Sequence, residues 1–398
     1  MDGRQEKTKL RIVGLDLFRI MSILIIFFFH QKIHLGINFG VLNAFISMGP
    51  IFMTAFFMLS GYVLEMTHGE QDICRQGKIL DFYKKRFISI IPSYWLVAIS
   101  YTIYLIIKGQ SIGLHITMLP IELIGVQSWF NSLFSFSHNG GTWFISCLLI
   151  CYFAYPLISM IIHEMKKIGR IIVLLIILYI ILAAPLIVND FQISSIYSNP
   201  LFRLLEFMLG ILLYRLYKEF SGQRKVVFEC RSENHKKTAE KENKEKKYIQ
   251  NKSIPTKYAY IYRYIITIVI LMLLLIAGVS VLVKQKIGVN DYMMYNWIAV
   301  PIFIIMLLVS TGLKSSSFSQ GTVKAITYMS NCGYIFFLVQ FFTWPLTRWV
   351  LNLAAEEVQS SEIKFIISLT INSVLTVIIY ELFDKPVRKV LQLIMWRK

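Results

Sequence analysis

Gly14-Leu15-Asp16-Leu17-Phe18-Arg19-Ile20-Met21-Ser22-Ile23-Leu24-Ile25-Ile26-Phe27-Phe28-Phe29-His30 decides how this chain is read. The stretch is apolar enough to open a membrane span, yet it carries an aspartate, an arginine and a histidine. Ionisable groups in hydrocarbon cost several kcal/mol each unless paired or hydrated, so they mark a function by default. Arg19 and His30 are eleven residues apart, which on a helix is three turns plus about 20°. They therefore share one face, separated along the axis by about 16 Å. Asp16 lies three residues before Arg19, within pairing distance on that face. The plainer alternative is a first span with a structural ion pair and a hydrogen-bonded histidine.

Outward from this stretch, the whole composition is that of a polytopic membrane protein: 56% of the 398 residues are hydrophobic and 16% charged. A net charge of +18 would suggest nucleic acid in a soluble protein, but here the basic residues fall between apolar runs. No nucleic-acid partner is expected. The five cysteines show no metal-ligand spacing, and Cys147 and Cys151 sit inside an apolar run as small hydrophobes. No metal is expected. The basic-then-apolar amino terminus resembles a signal peptide, but no small-residue cleavage site follows Phe29-His30-Gln31-Lys32. An uncleaved first span is expected.

Runs long enough to cross a bilayer fall at about 13–33, 44–66, 87–107, 142–162, 170–188, 199–217, 260–283, 294–313, 326–349 and 363–383. The expected fold is all-α with about ten transmembrane helices, forming one membrane domain over residues 1–398. Of the 41 Lys and Arg residues, thirty-three fall on one set of alternate loops and the two ends, and four on the opposite loops. The positive-inside rule then places both termini in the cytoplasm.

Residues 219–258 form a charged insertion, rich in Lys, Glu, Asn and Arg, too polar to bury a core and expected as a cytoplasmic loop. Its charge suits topology and contact with anionic lipid. On the other side, the loop 108–141 is the longest. Its run 115–134 could form an interfacial or re-entrant helix, and Gly140-Gly141 allows a sharp turn into the fourth span.

Several further segments carry a resemblance. Leu15-Asp16-x-x-Arg19 followed by Arg-x10-His is similar to the opening of the acyltransferase 3 family of bacterial membrane acyltransferases. Phe56-Phe57-Met58-Leu59-Ser60-Gly61-Tyr62 resembles its second-span FFxLSG motif, although small residues also recur wherever membrane helices pack closely. Phe82-Tyr83-Lys84-Lys85-Arg86, followed by Pro92-Ser93-Tyr94-Trp95, resembles the family's basic cluster before a PxYW. Thr142-Trp143-Phe144-Ile145, with Tyr152 and Pro156, resembles its fourth span, and Arg203, Glu206, Phe207 and Gly210 its R-x-x-E-F-x-x-G. Ser330-x-x-x-Tyr334-x-x-x-Leu338-x-Gln340 and the closing Glu381-x-x-x-Lys385-Pro386-Val387-Arg388 complete the series in order. Three departures stand out. Ser89 replaces a frequent second arginine, Gln340 replaces the usual histidine, and no glutamate follows in the fourth span.

The resemblance implies a multi-pass enzyme of the bacterial cytoplasmic membrane that takes acyl groups, acetyl above all, from acyl-CoA and esterifies hydroxyls of envelope glycans. His30, Arg19 and Asp16 are the expected catalytic group, with His30 as general base. Arg86, Lys85, Ser60 and Tyr62 are expected on the donor side, where basic residues can hold phosphates. Trp143, Tyr152, Arg203, Glu206 and Gln340 are expected toward the acceptor or lining the pore. Arg203 and Glu206, neighbours at i,i+3, could equally neutralise one another. Self-association is left open. Two readings from other classes share ten spans and buried charges: a lipid or polysaccharide transporter, and a membrane sensor of a small amino acid.

Overall fold

The computed structural model describes residues 11–69, 73–74, 78–129, 142–190, 197–220, 296–353 and 360–396, all helical or connecting, with no strand among them. The first helix, α1 (Val13–Leu35), ends where Gly36 adopts a positive φ of 65° and its N–H returns to the Lys32 carbonyl. Two short turns and α2 (Asn43–Ser47) lead into α3 (Phe52–His68). The chain continues through α4 (Lys78–Ile107), α5 (Ile112–Ile124), α6 (Trp143–Glu164), α7 (Lys167–Asp190) and α8 (Pro200–Phe220). It resumes with α9 (Asn296–Gly312), α10 (Gln320–Leu338), α11 (Gln340–Asn352) and α12 (Ser361–Ile379). A π-turn over Tyr380–Asp384 joins α12 to α13 (Lys385–Met395).

The charged helix α1 is central. It packs against α3, α9, α10 and α11, and is far more deeply buried than α7. Helices that are apolar all round but little buried are those facing lipid. The tightest pairing is α3 with α8. A Cβ at Gly61 would lie 2.0 Å from the Phe207 carbonyl oxygen, and one at Gly210 would lie 2.0 Å from that of Met58. Each glycine thus admits the opposite backbone, the contact that lets membrane helices approach closely.

Six helical stretches among the described residues are long and apolar enough to cross a membrane, and a seventh if α10 and α11 form one span. Nine of the runs expected to span are largely helical over their described residues; 260–283 lies outside the described residues, as do most of the 219–258 insertion and the Gly140-Gly141 turn. α8 is interrupted by charge, carrying Arg203, Glu206, Arg215, Lys218 and Glu219.

The expected continuous ninth span, 326–349, is instead two helices bent by 73° at Val339. The bend has local support. Asn372 Nδ2 donates to the Phe336 carbonyl at 3.1 Å, the acceptor that a continuous helix would offer to the Gln340 N–H. Thr343 Oγ donates to Asn372 Oδ1 at 2.7 Å. Backbone that leaves the helix at membrane depth must find such partners inside the protein.

In the loop after α4, the expected interfacial segment is the 13-residue α5, capped by Ser111 and stopped by Gly125 at φ 78°. Tyr94 and Trp95 pin its end: the Tyr94 hydroxyl donates to the Glu122 carbonyl at 2.5 Å and Trp95 Nε1 to the Leu123 carbonyl at 2.9 Å.

Candidate active site

The face of α1 meets α10 at its first two turns. Asp16 is buried, and its firm partner is Arg11: Nε lies 2.5 Å from Oδ2 and Nη2 3.1 Å from Oδ1. Ser330 Oγ donates to Asp16 Oδ1 at 2.6 Å and accepts from Arg19 Nη1 at 3.0 Å. Arg19 itself stands 3.6 Å from Asp16. The expected Asp16–Arg19 pair is therefore a three-residue bridge through a serine from α10. Arg19 keeps most of its guanidinium free of partners among the described residues.

Arg86, near the start of α4, lies beside this group. Its guanidinium sits 5.6 Å from the ring centres of both Phe82 and Tyr152, and its buried Nε has no hydrogen-bond partner among the described residues. Tyr152, on α6, lies within electrostatic range of Arg19 and Arg86 alike. Two cations and a phenol from three helices thus converge, Tyr152 in hydrogen-bonding reach of Arg86 and the Arg86 Nε without a partner among the described residues. Lys85 points elsewhere, lining a groove of about 390 Å³ with Lys389, Gln392, Leu393 and Trp396 of the carboxyl-terminal segment.

Three turns along α1, His30 Nδ1 lies 2.7 Å from Gln340 Oε1 at the first residue of α11. With the amide oxygen on Nδ1, the ring donates from Nδ1–H, and in the neutral imidazole the lone pair is then on Nε2. Phe337 and Trp344 stand against the imidazole, their ring centres each 6.4 Å from it, and His34 stacks on Trp344 at 5.3 Å. The bend at Val339 is what carries Gln340 into this position.

The remaining expected residues form a separate group or stand alone. Arg203 Nη1 donates to Glu206 at 2.7 and 2.8 Å, and its Nε to the Tyr197 carbonyl at 2.8 Å. Thr54 Oγ donates to Glu206, and Trp143 faces the guanidinium at 5.3 Å. Both charges are buried and paired, so removing either partner alone would cost about 3–5 kcal/mol. The Ser60 hydroxyl donates to its own helix at the Phe56 carbonyl. Tyr62 is fully buried, with its hydroxyl 2.9 Å from Thr311 Oγ.

Some participants escaped the sequence reading. Arg11 precedes the first span and counted only toward topology. Glu65, buried with Arg215 and accepting from Tyr155 at 2.8 Å and Ser159 at 2.9 Å, is an acid inside an apolar run that the cost of buried charge could have flagged. Asp384, paired with Arg388 at 2.7 Å and bonded to Ser93, ties the closing motif to α4. Trp344 and His34 each stand four residues from a residue already singled out, Gln340 and His30, and so share its helix face.

The family model described as an acyltransferase domain matches residues 12–381, nearly the whole chain. No curated protein and no solved structure matches it.

Proposed function

The chain belongs to the acyltransferase 3 family, and from that premise we propose that it moves an acetyl group from acetyl-CoA on the cytoplasmic side to a hydroxyl of an envelope glycan or glycolipid outside. The observation that carries this reading is the two-ended face of α1. At one end Arg19 and Arg86 offer unspent cationic hydrogen-bond donors beside Tyr152. At the other a histidine is oriented through Nδ1 with Nε2 left open.

Each end suits one half of the reaction. Guanidinium groups hold phosphate oxygens in two-point contacts, and the pantetheine arm of the donor is long enough to span the about 16 Å between Arg19 and His30. A hydroxyl becomes a competent nucleophile as it loses its proton, and an imidazole is suited to accept it near neutral pH. His30 Nε2 is the proton acceptor in this reading, and Gln340 keeps the ring turned. The distribution of Lys and Arg supports ten spans with both termini in the cytoplasm, and in that reading the Arg19 end faces the side where acetyl-CoA is made. Arg203 and Glu206, neutralised in their own buried cluster, serve the frame.

The test is acetyl transfer by purified protein in nanodiscs, with labelled acetyl-CoA and a membrane extract as acceptor source. Labelled ester in the glycan fraction supports the reading. Intact acetyl-CoA with folded parent protein would remove it.

A further inference from the structure

The cluster around His30 holds two buried N–H groups that the frame leaves unused. Gln340 is 1% exposed and spends Oε1 on His30, but its Nε2 has no hydrogen-bond partner among the described residues. Trp344 is 3% exposed, and its Nε1 likewise has none. A buried donor without an acceptor costs roughly 1–3 kcal/mol, so two in one place call for an explanation. Gln340 and Trp344 are four residues apart on α11 and so share one face of that helix. Both stand against the His30 ring, Gln340 by hydrogen bond and Trp344 edge-on. Both nitrogens are shielded from solvent, so water competes little for them.

We propose that Gln340 Nε2–H and Trp344 Nε1–H receive the carbonyl oxygen of the acyl group and stabilise the oxyanion formed on it. The inference rests on acyl transfer at His30 and names the two groups that complete that site. In the step, the acceptor oxygen attacks the thioester carbon while His30 Nε2 takes its proton. The new C–O bond forms, and the carbonyl π pair moves onto the oxygen held by the two donors. The C=O then reforms, the C–S bond breaks, and the CoA thiolate leaves with the proton from His30. Donors fixed before the reaction stabilise charge where it develops, without reorganisation at that moment. Gln340 thereby has two roles: its oxygen positions the base and its nitrogen touches the reacting group.

Four variants separate these roles in nanodisc-embedded protein. Release of free CoA from acetyl-CoA is followed with methyl glucoside and water as hydroxyl probes. Trp344→Phe keeps an aromatic ring against Phe27 and His34 and removes the N–H along with part of the indole, so it is compared with Trp344→Leu, which removes the same N–H and the ring, at matched unfolding midpoints. The kcat of Trp344→Phe should fall on the order of 10²-fold with KM for acetyl-CoA unchanged. Gln340→Glu keeps an oxygen for Nδ1–H but loses the donor; kcat should fall similarly while the ¹⁵N spectrum of His30 still shows the proton on Nδ1. Gln340→Leu should lose both the rate and that tautomer. Parental kcat in Trp344→Phe, a loss confined to KM, or a parent spectrum with the proton on Nε2 would overturn the assignment. An active parent with unaffected variants would sink the donor pair alone. A folded parent that releases no CoA would sink acyl transfer and this inference together.

Discussion

Asp16 is held by Arg11 rather than by Arg19. Two contacts of 2.5 and 3.1 Å join it to Arg11, whereas Arg19 approaches no closer than 3.6 Å and reaches it through Ser330. The distinction matters because a carboxylate satisfied elsewhere frees the arginine that shares the helix face with His30. A guanidinium kept half-buried and under-used is available for a substrate anion. One spent on a salt bridge is not.

Arg19→Lys should therefore leave folding intact and raise KM for acetyl-CoA by about tenfold, because lysine keeps the charge but loses the planar fork. Arg11→Ala should raise KM as well without touching the donor, since Asp16 would then draw Arg19 toward itself. Steady-state kinetics on the two variants check this. An unchanged KM in Arg19→Lys would return Arg19 to a structural role.

How much of this was legible depends on what the code at each place records. The Arg19–His30 face follows from helix geometry alone, and α1 emerges as the helix at the centre of the bundle. The FFxLSG and R-x-x-E-F-x-x-G segments were readable as motifs, but only the three-dimensional contact shows that Gly61 and Gly210 answer one another across α3 and α8. The break at Val339 was illegible. Apolar residues continue through Phe341 and Phe342, and the nearby proline, Pro345, lies inside α11 rather than at the bend. What supports the bend is Asn372, on a different helix, and hydropathy along a single segment does not record that. Likewise Arg11 finds Asn331 and the Thr327 carbonyl across more than 300 residues, a pairing that neighbour spacing cannot reveal.

Gly61→Ala should destabilise the protein by about 2 kcal/mol or more, because the added methyl would meet backbone, which cannot rotate away as a side chain does. Gly113→Ala is the control: its added Cβ would meet only the Ser111 hydroxyl at 3.9 Å. Thermal unfolding in detergent should show a lowered midpoint for the first and none for the second. Equal midpoints would mean that α3 and α8 pack less closely than described.

The side of the membrane expected from charge is checked without any enzyme assay. With thirty-three of the 41 Lys and Arg residues on one set of loops and the ends, Asn251→Cys should resist an impermeant thiol reagent in intact cells and react after lysis. Labelling without lysis would reverse the side assigned to each substrate.

His30→Ala removes the proposed base, so acyl transfer should fall by roughly 10² or more while inserted protein remains abundant. His30→Gln separates basicity from hydrogen bonding. Its side chain can still meet Gln340 but does not take up a proton near neutral pH, so it should be nearly as inactive as the alanine variant. A structural histidine predicts the opposite order: glutamine would restore both folding and rate, because the contact with Gln340 at 2.7 Å is what it would need to preserve. Donor turnover and acceptor acylation should be measured together in purified variants whose unfolding midpoints match the parent. Near-parental turnover in His30→Ala would eliminate the base, and with it the reason for holding Nδ1 against Gln340.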